Sequence, residues 1–337
     1  MPVVLARDEG AGRGMLSMGR GPKLGVVGAG AVGTAVAYNA QIRGLAREIA
    51  LFDINRSKVR AEVLDMAHGS QFTASRVIGG DDVEVLAGCD VVVVTAGAAQ
   101  KPGETRLDLV NKNVAIMRSV LPQVIEQAPD AVIVLVTNPC DVLTAVAVEE
   151  FGVPSARLFS SGCVLDSSRL RWLVAEIARV SPTSVHAMVV GEHGDSEFPL
   201  WSSSRVGHTP LTEWTERGTR LFTPEILADM TQGVVRAAYT VIEGKGATNY
   251  AVGLAAGRIV QAVLRDEQTV LPVSRVLRAQ ELDPSLESLD GIALSLPTIV
   301  GAGGAERVVS PPMVEDERAR LLRSGEALRE VFETVRR

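Results

Sequence analysis

The sequence predicts an α/β protein, with an N-terminal doubly wound parallel sheet followed by an α+β half. Three observations carry this expectation. Near-continuous Val and Ile runs recur in the first half, as LGVVG, EIALFD, DVVVVTAG and AVIVLVTN, and such runs suit parallel strands buried on both faces. Helix-length amphipathic stretches separate them, which is the alternation of a βα-wound sheet. The 337 residues also supply two domains' worth of chain at roughly 100 to 200 residues each.

Taken in order, the first 22 residues hold five glycines and no sustained apolar periodicity. They read as a flexible arm, with Met15 or Met18 as an alternative start. Residues 23–165 carry the four apolar runs and form the expected first domain. Residues 166–337 change character. A helix is expected over Val164 to Arg179, mixed strands over Ser184 to Val190, two long helical stretches between Pro224 and Leu264, further strands, and a charged helix from Pro312. There is no internal repeat and no low-complexity tract.

Composition excludes several classes of function. Lys plus Arg total 34 against 40 Asp plus Glu, a net charge of −6; this offers no electrostatic footprint for nucleic acid or for an anionic membrane. Small molecules or protein surfaces are the expected partners. The uncharged, largely apolar run Leu24 to Tyr38 is shorter than the ~20 apolar residues a bilayer needs. Asp8 and Glu9 precede it and ordered glycines lie within it, which argues against a cleavable signal. Cys89, Cys140 and Cys163 are odd in number, lack metal-type spacing and sit among apolar or small residues, so buried thiols in a reducing cytoplasm are expected.

The first chemical signal is GAGAVG. Gly28, Gly30 and Gly33 follow an apolar strand and open a helix, the context in which a pyrophosphate meets a tight turn, a close backbone and a helix N-terminus. The next apolar run, EIALFD, ends at Asp53, 20 residues beyond Gly33. An acidic side chain there hydrogen-bonds an adenosine ribose and repels a 2′-phosphate, which favours NAD. Capping of the following helix is the alternative role for Asp53, and neighbouring Arg56 leaves room for the phosphorylated cofactor.

After DVVVVTAG comes GAAQKPGETRLDLVNKN, Gly97 to Asn113, polar and with Pro102 and Gly103. It sits where the chain leaves a sheet's carboxyl edge, the place where ligands bind and lids hinge. Arg106 is either a ligand cation or an ordinary helix-start charge. Asn138, in the TNP that ends AVIVLVTN, is either a ligand amide or a turn device. Asp166 and Arg169 are three apart at a helix start and share one face. His193 lies in the Gly-flanked loop GEHGDSEFP and is one of four histidines. A carboxylate near its ring would set the tautomer and raise its pKa, making it a proton donor near neutrality. Arg169 offers a bidentate fork for a substrate carboxylate.

From Lys23 nearly to the C-terminus, the blocks GAGAVG, GAAQKPGETRLDLVNKN, TNPCD, SGCVLDSSRLR, GEHGDSEFPLWS and KGATNY occur in chain order. Together they resemble the bacterial L-lactate dehydrogenases of the lactate and malate dehydrogenase superfamily. The resemblance implies a Rossmann-type first domain and a substrate domain. It implies that His193 is the acid/base, Asp166 its partner, Arg169 the carboxylate clamp, Arg106 the lid cation that polarises the substrate carbonyl, Asn138 an orienting amide and Thr248 part of the pocket wall. It further implies NAD contacts at Gly28, Gly30, Val32, Gly33, Asp53, Lys58, Gly97, Ala98, Ser119, Val136, Asn138 and Ser161, and no metal. Cys163 stands where the family more usually has Thr, and the N-terminal arm is longer than usual.

Within that resemblance, Gln100 occupies the lid position facing the variable end of a 2-oxo acid. Gln is neutral, and a dicarboxylate enclosed there would leave an unpaired charge costing several kcal/mol. The expectation is therefore reversible reduction of pyruvate to L-lactate by NADH. A malate dehydrogenase and a non-enzymatic NADH sensor are the alternatives. Arg171 follows Arg169 by two residues, so at 100° per residue the two diverge by about 200°, and Arg171 is expected to face outward. His186 opens an apolar strand. As a pair they match the residues that bind fructose 1,6-bisphosphate between subunits of allosteric bacterial lactate dehydrogenases, which implies a homotetramer.

Overall fold

A computed structural model describes residues 21–99 and 103–336. Met15, Met18, almost all of the expected arm, Gln100 and the side chain of Arg106 lie outside the described residues.

The first half winds as β1 (Lys23–Val27), α1 (Ala31–Arg43), β2 (Glu48–Phe52), α2 (Arg56–His68), β3 (Arg76–Gly80), β4 (Val91–Val94), α3 (Arg106–Gln127), β5 (Val132–Leu135), α4 (Cys140–Phe151) and β6 (Leu158–Ser160). These six strands lie side by side in the order β3-β2-β1-β4-β5-β6, and every neighbouring pair is parallel. The strand order reverses between β1 and β4, so the loops leaving their carboxyl ends flank a crevice at the switch point. The sheet is buried on both faces. Val27, Val92, Val94, Ile133 and Leu135 enter one apolar cluster, whereas Leu24, Val26, Val91, Val93, Val132 and Val134 enter another. That alternation is why these strands are Val-rich at every position.

Local chemistry sets the helix starts that matter here. Thr105 caps α3 in a capping box with Asp108, which satisfies two otherwise orphan N–H donors and begins the helix at Arg106. Helix α1 instead starts from Gly30, which has no side chain to cap it, so its terminal N–H groups are left for another acceptor.

The second half begins with α5 (Val164–Ala178), then the short strands β7 (Val185–His186), β8 (Val189–Val190), β9 (Phe198–Pro199), β10 (Arg205–Val206), β11 (Thr209–Pro210), β12 (Thr215–Glu216) and β13 (Thr219–Arg220). Helices α6 (Pro224–Lys245) and α7 (Tyr250–Leu264) follow, then β14 (Thr269–Leu271), β15 (Ser274–Val276), β16 (Ala293–Ser295), β17 (Thr298–Gly301), β18 (Gly304–Val308) and α8 (Glu315–Val335). Strands β15 and β16 extend the first sheet, antiparallel, beyond β6. A bridge between Gly191 and Ser295 then anchors the His193 loop to that extension.

Candidate active site

The three glycines of the first turn do three different things. Gly28 has φ +102°, a left-handed conformation that costs an L side chain energy. A Cβ on Gly33 would lie 1.8 Å from the Gly28 carbonyl oxygen, so only glycine lets α1 pack this closely on the turn. A Cβ on Gly30 would meet nothing within 4 Å; the space beside it is open, at the uncapped start of α1. An open backbone approach at a helix N-terminus fits a pyrophosphate. Val32 lies half-buried in the same first turn.

Asp53 closes the turn from the next strand. Its Oδ2 accepts the Ala29 N–H at 2.7 Å and its Oδ1 accepts the Asn55 N–H at 2.8 Å. The cap of α2 is Asn55, whose Oδ1 accepts the Lys58 N–H at 3.1 Å. Helix capping is therefore not the task of Asp53, and Lys58 sits exposed in the first turn of α2.

Across the switch point, Asn113 of α3 is buried and ties two loops together. Its Oδ1 accepts the Ala98 N–H at 2.7 Å, and its Nδ2 donates to the Asn138 carbonyl at 2.7 Å. Ala98 and exposed Asn138 are thereby held along one edge. A Cβ on Gly97 would lie 2.2 Å from Thr137 Cγ2, which draws the same loops together. Val136 and Ser161 close the ends of β5 and β6, donating backbone N–H bonds to Val94 and Leu135 at 2.9 Å. Ser119 is exposed midway along α3. The role of Asn113 is not readable in the sequence, where it is only the last polar residue of a polar stretch.

The chemistry converges at the start of α5. Asp166 is fully buried. Its Oδ2 lies 2.7 Å from His193 Nδ1, and its Oδ1 accepts Arg169 Nη1–H at 2.7 Å. The three-residue spacing of Asp166 and Arg169 does place them on one face. Burial opposes the charged imidazolium, but the Asp166 carboxylate, its hydrogen bond and the contacts with Cys163 and Glu197 outweigh burial, and His193 is held well above the ordinary histidine range. Burial likewise opposes the Asp166 carboxylate, yet His193 and Arg169 hold it below the ordinary aspartate range. With Nδ1 facing Asp166, Nε2 is the ring nitrogen left to face a substrate.

Two further carboxylates shape this loop, and sequence reasoning passes over both. Asp141, buried in the first turn of α4, accepts the His193 backbone N–H at 2.7 Å; burial pushes its pKa up to about 6. Glu197, buried on the loop, has Oε2 3.7 Å from His193 Nδ1, and burial pushes its pKa up to about 7. Their sequence signals are only position: Asp141 ends TNPCD, and Glu197 follows His193 by four. Thr248 is half-buried in the connector between α6 and α7.

Arg171 lies two residues beyond Arg169 on α5. It is half-buried, its Nε donates to the Ala187 carbonyl at 2.9 Å, and burial lowers its pKa. The Ala187 carbonyl, just after β7 and next to exposed His186, gives the desolvated guanidinium the acceptor it needs. Cys89, Cys140 and Cys163 are buried thiols. No described helix is long and apolar enough to cross a membrane.

A glycine turn at a sheet's switch point and a buried histidine–aspartate pair in one chain are the parts of an oxidoreductase that uses a dinucleotide. The comparisons specify it. Residues 22–160 match the model for the lactate/malate dehydrogenase NAD binding domain, and residues 163–337 match the model for the lactate/malate dehydrogenase alpha/beta C-terminal domain. The chain belongs to the lactate/malate dehydrogenase family, and its cofactor is NAD. It is 45% identical over 310 residues to an L-lactate dehydrogenase of Bifidobacterium animalis subsp. lactis strain AD011, covering 91% of this chain and 95% of that one. It is 43% identical over 307 residues to an L-lactate dehydrogenase of Thermus aquaticus, covering 91% and 97%. The ligand-bound crystal structure of the minor L-lactate dehydrogenase from Enterococcus mundtii superposes with a TM-score of 0.88 at 36% identity, covering 94% of this chain and 99% of that one.

Proposed function

We propose that this NAD-dependent enzyme is a cytoplasmic L-lactate dehydrogenase that reversibly reduces pyruvate to L-lactate. The observation that supports this most strongly is the 2.7 Å contact of His193 Nδ1 with Asp166 Oδ2, with Arg169 on the other oxygen. NADH, when bound, supplies a hydride, and the chain's own residues do the rest. Gly28, Gly30, Val32, Gly33, Gly97, Ala98, Ser119, Val136 and Ser161 hold the cofactor; Asp53 and Lys58 receive its adenosine half. Arg169 pairs with the substrate carboxylate, and Asn138, Thr248 and Arg106 orient and polarise the carbonyl. His193 donates the proton on Nε2 to the carbonyl oxygen, and in the reverse direction neutral His193 accepts it. Asp166 keeps the ring in the tautomer this needs and stabilises the imidazolium.

Gln100 meets the methyl end of pyruvate without a charge to satisfy. In fermenting cells the reaction regenerates NAD after glycolysis. Arg171 and His186 bind the phosphates of fructose 1,6-bisphosphate between subunits of a homotetramer. Their cationic charge opposes assembly until the effector bridges it, so the effector favours the assembled state by differential affinity. NADH oxidation followed by absorbance with pyruvate, with oxaloacetate, and with each plus fructose 1,6-bisphosphate tests the reading. Faster turnover of pyruvate and a lower KM with the bisphosphate are expected. Preference for oxaloacetate overturns the substrate assignment, and an unresponsive saturation curve overturns the effector.

A further inference from the structure

We propose that Cys163, Asp166, His193 and Glu197 form an inhibitory zinc site, in which one Zn²⁺ binds the Nδ1 face of the histidine and disables the proton donor. One ligand atom from each of the four residues lies within 4.8 Å of the other three. A tetrahedral zinc with ligand bonds of about 2.0–2.3 Å holds its donors roughly 3.3–3.8 Å apart. The His193–Asp166 pair, at 2.7 Å, has to open by about half an ångström, and the His193–Glu197 pair, at 3.7 Å, is already spaced for it. The donor set of one thiolate, one imidazole and two carboxylates is that of a borderline-soft cation and not of calcium or magnesium.

A second observation points to a ligand. Glu197 is 6% exposed, and its Oε2 is a buried oxygen without a hydrogen-bond partner. That oxygen faces the cluster, 3.7 Å from His193 Nδ1, too far for a direct hydrogen bond but the spacing that a shared cation bridges. Of the four residues, Glu197 also borders a cavity of about 500 Å³, which Asp195, Ser196, Arg236 and Ser324 line with it.

Binding displaces three protons to solvent: one from the Cys163 thiol, one from the Glu197 carboxyl and one from Nδ1 of the His193 imidazolium. Asp166 is already ionised and exchanges its hydrogen bond for a metal bond. The Nε2 proton stays, and a zinc-bound imidazole holds it more tightly than an imidazolium does. The cofactor turn around Gly28 is untouched, so inhibition leaves NADH binding in place. The inference concerns the metal and stands whichever 2-oxo acid is reduced.

The test uses the full chain without substrate. Titration with Co²⁺ alone is expected to produce a thiolate-to-cobalt charge-transfer band in the near ultraviolet, saturating at one equivalent and bleached by Zn²⁺. Cys163→Ala is expected to lose the band and to need at least ten-fold more free Zn²⁺, set by a metal buffer, for half-inhibition; a chelator is expected to restore wild-type activity. NADH binding reports that the variant is folded, and Cys163→Ser replaces it if it is not. No band, a band that persists without the Cys163 thiol, or equal zinc sensitivity in wild type and variant overturns the proposal.

Discussion

Nδ1 of His193 lies 2.7 Å from Oδ2 of Asp166, a carboxylate with no solvent exposure. At that distance and depth the pair behaves as one acid. The proton that stays on Nδ1 satisfies Asp166, and the proton on Nε2 is the one available to a substrate. A carboxylate so placed raises the pKa of the ring, so reduction, which needs the imidazolium, persists to a higher pH than a free histidine would allow and falls as pH rises through the raised value.

Asp166→Asn removes that counter-charge. The pH at which kcat/KM for pyruvate declines should move downward by at least one unit, a change of about 1.4 kcal/mol in the proton's affinity. A pH–rate profile of wild type and variant, measured at saturating NADH, checks the direction as well as the size. An unmoved inflection would mean the histidine titrates independently of Asp166.

Gly30 and Gly33 should separate into a binding residue and a packing residue. A Cβ at position 33 collides with the Gly28 carbonyl, so Gly33→Ala should lower stability by more than about 2 kcal/mol, as backbone strain of this kind does. Gly30→Ala has room and should cost under about 1 kcal/mol at a helix start while weakening NADH binding at least ten-fold. Thermal unfolding and fluorescence titration of both variants measure the two effects. Equal losses of stability would remove the distinction.

The four apolar runs are legible in the sequence because a strand covered on both faces needs an apolar residue at nearly every position. β3 and β6 are not legible, for opposite reasons. Strand β3 begins with exposed Arg76 and ends on two glycines at the sheet's edge, so no apolar run marks it; β6 is only three residues long. His193, Asp166 and Arg169 stand out because their residue types are rare or spaced for one face. Asp141 and Glu197 act through burial and through contacts across long loops or between helix and loop, and neither leaves a periodic trace. For Arg171, helix geometry gives a direction but not the Ala187 carbonyl that its Nε meets at 2.9 Å.

Asp141 should make stability fall with rising pH. Its pKa is pushed up to about 6 by burial, so the fold prefers the protonated carboxyl. Its contribution is fully present below the ordinary aspartate value near 3.8 and is lost as pH rises through about 6. The loss amounts to roughly 1–3 kcal/mol. Asp141→Asn keeps an acceptor for the His193 N–H and has no charge to bury, so its denaturant midpoint should decline less than that of wild type between pH 4.5 and pH 7. Parallel declines in the two proteins would contradict this.

Gln100→Arg tests the substrate assignment. An Arg at that position supplies the missing partner for a second carboxylate. The ratio of kcat/KM for oxaloacetate to that for pyruvate should rise at least ten-fold, measured in a variant whose thermal unfolding matches wild type. A constant ratio would move the specificity determinant elsewhere in the pocket.

The proton donor itself is tested most directly by His193→Asn, with kcat for pyruvate and the Kd for NADH measured on the same preparation. Loss of general acid catalysis predicts a fall in kcat of at least about a hundred-fold, with NADH binding within a factor of two or so of wild type, because the glycine turn at Gly28 and the ring of His193 are separate parts of the site. A variant that retained a tenth or more of wild-type kcat with NADH bound as tightly would contradict the assignment of His193 as the acid.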